Sequence, residues 1–140
     1  MLSYTRRASL VLLGAAAAAP ARAAAAAADG HRPFVAAALA MKQLAVAAGD
    51  QPYGAVVVER GRIVGYGPSR VVANSDGSAH AEREAIRDAQ ARLGRADLPG
   101  CVMYSTSRPC ANCERAAAQA NVARMFHGAE PTDAGAPRRL

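Results

Sequence analysis

His80-Ala81-Glu82 and Pro109-Cys110-Ala111-Asn112-Cys113 decide how this chain is read, because each gains its meaning from the other. One imidazole and two thiolates can hold a zinc ion and leave its fourth position to water. Zinc lowers the pKa of such a water from about 16 to roughly 7. Glu82 stands two residues from His80, so it can reach that water without occupying the metal. Cys110 and Cys113 have the i, i+3 spacing of one helix face, so both sulfurs can meet one ion. Each motif is predicted to open a helix, whose N-terminal partial positive charge favours the thiolate form that binds metal.

Working outward, His31 to Ala48 carries a helical stripe of Phe34, Ala37, Ala38, Met41, Leu44, Ala45 and Ala48. Pro33 suits its first turn and Gly49 its stop. Tyr53 to Val58 reads as a buried strand, Arg60-Gly61 as a turn, and Ile63 to Tyr66 as a second strand, which together make a hairpin. Gly67 to Ser78 is a polar loop. Ala79 to Leu93 is a second helix with Ala81, Ala85, Ile86 and Ala89 as a small inner face and Gly94 as its stop. Cys101 to Tyr104 is a strand, Cys110 to Ala120 a third helix, and Val122 to Phe126 a last strand. Pro131 to Leu140 is a tail rich in turn formers. The α-β-β-α-β-α-β order predicts a three-layer α/β domain. Cys101 reads as a small core residue, and His31 and His127 as surface residues.

The N-terminus has the layout of an export signal: Arg6-Arg7, an apolar stretch through Leu13, then the cleavage-type sequence Ala21-Arg22-Ala23. The adjacent arginines resemble a twin-arginine address, which points to the bacterial periplasm. The apolar segment is too short for a stable membrane anchor. The net charge of +6 comes partly from this leader. Without residues 1–23 the chain keeps 14 basic and 11 acidic residues, and no basic run tracks a phosphate backbone. The charge therefore reads as solvated surface rather than as a nucleic-acid footprint.

From Gln51 onward the chain resembles the cytidine and deoxycytidylate deaminase superfamily, in the branch of guanine, cytosine and tRNA adenosine deaminases. The carrying segments are Gln51 to Val58, Asp76 to Glu82, and Tyr104 to Cys113, with the zinc motif the most specific. The resemblance implies an α-β-α fold with a central mixed sheet of five strands, of which the sequence displays four. It implies His80, Cys110 and Cys113 as ligands of one zinc per chain, and Glu82 as proton shuttle while hydroxide attacks the amino-bearing ring carbon. Substrate contacts are implied at Tyr53, Ser69 and Ala81. The substrate would be a small-molecule base or nucleoside, of guanine or cytosine type, and the assembly a homodimer. The layout is then an export signal over 1–23, a linker over 24–30, a deaminase domain over 31–130 and a tail over 131–140.

Three positions depart from that pattern. Ser69 stands where a base-binding Asn is usual, Arg108 where Glu often precedes Pro-Cys, and Asn112 where Met often precedes the second Cys. Two other functions use the same thiols: an exported thiol–disulfide oxidoreductase working through Cys110 and Cys113, or a non-catalytic zinc-binding domain. The first leaves His80-Ala81-Glu82 unexplained, and the second has no need of Glu82.

Overall fold

The hairpin forms around Arg60-Gly61, linking β1 (Gly54–Glu59) to β2 (Arg62–Pro68). Arg60 and Gly61 both have positive φ, 50° and 76°, and Glu59 pairs with Arg62 across them. A two-residue loop of this hand matches the twist of the strands it joins. The computed structural model describes residues 18–140, with side chains from residue 29 onward. Arg6, Arg7 and the apolar part of the expected leader lie outside the described residues, as do the side chains of Ala21-Arg22-Ala23.

The remaining elements are α1 (Ala18–Ala47), α2 (Ala81–Leu93), β3 (Val102–Ser105), α3 (Ala111–Gln119), β4 (Arg124–His127) and β5 (Thr132–Gly135). The sheet order is β2-β1-β3-β4-β5. Only β3 and β4 run parallel; the other neighbours are antiparallel, so the sheet is mixed as expected. The compact unit that carries it is His31–Leu140.

Strand alternation divides the core between the two faces of the sheet. Ala55, Val57, Met103 and Met125 meet Ala85, Ile86 and Ala89 of α2 and Ala117 of α3 on one face. Val56, Val58, Tyr104 and Phe126 meet Phe34, Ala38 and Met41 of α1 on the other. The inner face expected for α2 is the one buried. Gly65 and Gly67 of β2 bring that helix unusually close. A Cβ at Gly67 would lie 2.0 Å from the Ala81 carbonyl, and one at Gly65 would lie 2.3 Å from the Ala85 carbonyl.

Four expectations are corrected. First, α1 begins at Ala18, well before His31, so the helix runs through residues 24–30 and Pro33 lies inside it. The alanine run supplies the strongest helix formers and carries the helix past a residue that cannot donate its own hydrogen bond. Second, Leu44 lies outside the buried stripe, 55% exposed, while Ala38 and Ala45 are buried. Third, the tail contains β5, paired with β4 through Phe126–Asp133 and His127–Thr132. Backbone pairing holds this strand, since Thr132, Asp133 and Ala134 are all exposed. Fourth, His31 is half-buried rather than superficial: its Nδ1 lies 2.6 Å from the Tyr104 hydroxyl and its ring 4.5 Å from that of Phe126.

Candidate active site

Both motifs sit at helix starts, with α2 beginning two residues and α3 one residue later than the sequence suggests. His80 is the N-cap of α2 and Cys110 the N-cap of α3, each with extended backbone. Two helix N-termini therefore converge on one spot, and their partial positive charges favour thiolates there. The Cys110 sulfur also accepts the Cys113 N–H at 3.4 Å, which caps α3.

His80 Nδ1 lies 3.7 Å from Cys110 Sγ and 3.4 Å from Cys113 Sγ. All three ligand atoms lie within 4.8 Å of one another. Tetrahedral ligands at zinc bond lengths of roughly 2.0–2.3 Å stand about 3.5–3.8 Å apart. The observed spacings match a shared ion better than they match mutual hydrogen bonds, and a nitrogen with two sulfurs is a donor set suited to zinc. Cys113 is fully buried, and burial pushes its thiol far above the ordinary value. A thiolate at that depth needs a cation beside it, which the shared ion would provide.

Glu82 follows in the first turn of α2, only 5% exposed. Burial raises its carboxyl above the ordinary value, outweighing the lowering by its own N–H, Cys113 and His80. A carboxyl held in this way can give and take a proton closer to neutrality than an exposed one.

His80, Cys110 and Glu82 line an open cleft of about 670 Å³ together with Gln51, Pro52, Tyr53, Ser107 and Arg108, while Cys113 is fully buried. Its two walls are tied together: Gly54 N–H donates to Thr106 Oγ1 at 3.1 Å, and Thr106 N–H to the Gly54 carbonyl at 2.9 Å. The cleft opens beyond the C-terminal end of β3, where α/β sheets commonly place ligands.

Of the three suggested substrate contacts, Tyr53 lines the cleft and Ser69 and Ala81 do not. Ala81 is fully buried, its carbonyl against Gly67. Ser69 is 3% exposed, and its hydroxyl donates to Asp50 Oδ1 at 2.9 Å. Gln51 and Ser107 line the cleft without having been singled out by any motif. Asp50 was likewise missed. Its carboxylate accepts from the Gln51, Val72 and Ala73 N–H groups as well as from Ser69, joining the cleft rim to the loop that leads to His80.

One imidazole, two thiols and a buried carboxylate at paired helix starts form a donor set suited to zinc with an acid beside it. Residues 28–129 match the model of the cytidine and deoxycytidylate deaminase zinc-binding region, and the chain belongs to that family. It is 38% identical over 105 residues to guanine deaminase of Bacillus subtilis, covering 74% of this chain and 67% of that one. The solved structure of that deaminase superposes with a TM-score of 0.67 at 35% identity, over 70% of this chain and 63% of the other. A structure from work on tRNA:A34 deaminases gives 0.66 at 36% identity, over 68% and 69%. A tRNA(Ile)-lysidine synthase of Deinococcus deserti is 44% identical over 100 residues, which is 71% of this chain and only 19% of that protein. The chain thus spans about a fifth of that larger relative. Among the described residues no helix is long and apolar enough to cross a membrane.

Proposed function

We propose that this domain is a hydrolytic deaminase of a free nucleobase or nucleoside, of guanine or cytosine type, with His80, Cys110 and Cys113 holding one zinc. The observation that carries the reading is the buried Glu82 carboxylate on the same cleft as His80 and Cys110, two of the three grouped ligand residues. Bound zinc would supply an activated water at neutral pH. Glu82 takes one proton from water and gives it to the ring nitrogen, then takes the second from the hydroxyl added at carbon and gives it to the departing amine. Oxygen adds at the amino-bearing ring carbon, the C–N bond breaks, and ammonia leaves. The side chains of Tyr53 and Gln51 at the rim orient the ring. The guanine deaminase among the relatives supports a small base as substrate.

The test is zinc content and ammonia release for the purified protein over a panel of bases, nucleosides and a tRNA anticodon stem-loop. One zinc per chain is expected, with ammonia from a base or nucleoside. Glu82→Gln should keep the zinc and lower kcat by about 100-fold or more. Zinc without ammonia from any of these substrates would leave a binding domain. Release from the stem-loop alone would move the substrate class to RNA.

The reading includes export and a homodimer. Arg6-Arg7, the apolar stretch and Ala21-Arg22-Ala23 support a twin-arginine route to the periplasm. Cell fractionation of the full chain and an Arg6→Lys, Arg7→Lys variant tests the route: the parent should reach the periplasm and the variant should not. Sedimentation of the purified protein tests the dimer.

A further inference from the structure

We propose that Arg138 is a positioning residue for the metal site: by gripping Glu114 it holds the turn of α3 that presents Cys110 and Cys113, and so sets how firmly zinc is kept. The proposal rests on the zinc part of the deaminase reading and is independent of the substrate.

The side chains that bury α3 are small. The helix has nine residues, too short to be stable alone, and it buries Cys113, Ala117 and Ala118. Two alanines remove little apolar area from water. The first turn must nevertheless keep two sulfurs in place for one ion. The Cys110 carbonyl accepts the Glu114 N–H at 2.9 Å, so Glu114 belongs to the same closed turn as both ligands.

That turn is fastened by residues 138–140. Arg138 Nε donates at 2.8 Å to one Glu114 carboxylate oxygen, and a terminal nitrogen donates at 3.1 Å to the other. The Arg138 backbone N–H adds a third bond at 3.0 Å. A charged fork of this kind fixes direction as well as distance, unlike a single surface ion pair. The Glu114 side chain is only 17% exposed, so the grip lies partly out of water. The other neighbour of Cys113 is tied to the same segment. Arg115 donates through Nη1 to Asn112 Oδ1 at 3.2 Å and through Nε to the Leu140 carbonyl at 2.8 Å. Asn112 and Glu114 flank Cys113, so both sides of the buried ligand are fastened to one strip of chain. Arg139 makes a separate bond to Asn121 Oδ1 at 2.9 Å, beyond the far end of α3.

The fork also keeps Glu114 from a second partner. Glu114 and Arg108 line one pocket of about 370 Å³, and Arg108 stands two residues before Cys110. With both carboxylate oxygens taken by Arg138, Glu114 does not draw on Arg108. Loss of the fork would release the carboxylate toward Arg108 and pull on the chain at both ends of the ligand pair.

The experiment loads the full chain with zinc and times release of the metal to a chromophoric chelator. A second preparation carries cobalt(II), whose visible absorption reports the arrangement of thiolate ligands. Arg138→Gln should speed zinc release by about tenfold or more and shift the cobalt bands. Arg138→Lys should recover part of the loss. Glu114→Gln should release zinc about as fast as Arg138→Gln, and the double variant no faster than either, because each removal breaks the same fork. Arg139→Gln separates positioning from general fastening of the segment: it should leave release within about twofold of the parent. Unchanged release in Arg138→Gln, additive effects of Arg138→Gln and Glu114→Gln, or equal speeding by Arg139→Gln would overturn the proposal while leaving the zinc site in place. A parent chain that takes up neither zinc nor cobalt would overturn the zinc reading itself, and the proposal with it.

Discussion

The Ser69 hydroxyl donates to Asp50 Oδ1 at 2.9 Å, and this bond holds the serine out of the cleft lining. Asp50 also accepts three backbone N–H groups, so Ser69 is one of four ties on a brace between the rim and the loop before His80. The position that family resemblance suggests as a base contact thus takes part in this brace.

Ser69→Ala should accordingly behave as a stability variant. Loss of one buried hydrogen bond would lower the unfolding free energy by about 1 kcal/mol, while kcat/KM stays within about twofold. Denaturant unfolding and steady-state kinetics on the same preparation check this. A large rise in KM with unchanged stability would put the serine back in the substrate site.

Acid should loosen the same brace. Burial pushes the Asp50 carboxyl up, but the N–H groups of Ala73 and Gln51, the Ser69 hydroxyl and the Val72 N–H together hold it below its ordinary 3.8. Asp76, bonded to the Ser78 hydroxyl and N–H, is also held below 3.8. A carboxylate with a depressed folded pKa stabilises the fold above its unfolded value and loses that effect as pH falls through the folded one. Melting temperature should therefore drop as pH falls below about 4. Asp50→Asn should start lower and fall less over the same range.

The close approach of α2 to β2 predicts a contrast between two glycines. Gly67→Ala would drive a methyl into the Ala81 carbonyl and the Ala85 N–H, costing about 1–3 kcal/mol and displacing the start of α2, where His80 sits. Zinc content should fall with stability. Gly77→Ala meets nothing within 4 Å and should change stability by less than about 0.5 kcal/mol. Equal effects from both variants would show that the contact does not set the helix position.

Metal removal should be felt in the fold as well as in activity. Cys113 belongs to both α3 and the ligand cluster and is fully buried, so a chelator should lower the melting temperature, and added zinc should restore it. Cys113→Ser should bind less than one zinc per chain and melt where the chelated protein melts. A chelated protein that melts unchanged would mean that the cluster holds no structural metal.

The parts legible in the sequence were those whose physics is local. The hairpin turn, the small inner face of α2 and the i, i+3 cysteines each announce themselves within a few residues. His80 and Glu82 needed only the second motif to become a site. Asp50 was not legible because three of its four partners are backbone N–H groups, two of them more than 20 residues away, which leave no side-chain pattern. The setting of His31 depends on Tyr104 and Phe126, which arrive from β3 and β4. The strand Thr132–Gly135 lacks any apolar alternation, so a reading based on periodicity passes it by.

That last strand matters beyond its length. A protein shortened to end at residue 130 would lose Thr132–Gly135 and bare the row of donors and acceptors along β4 that they now satisfy. An open ladder of this kind recruits the same ladder from another molecule. Four residues at the rim of the sheet, three of them exposed, thus cover the β4 ladder and leave only a short edge in its place.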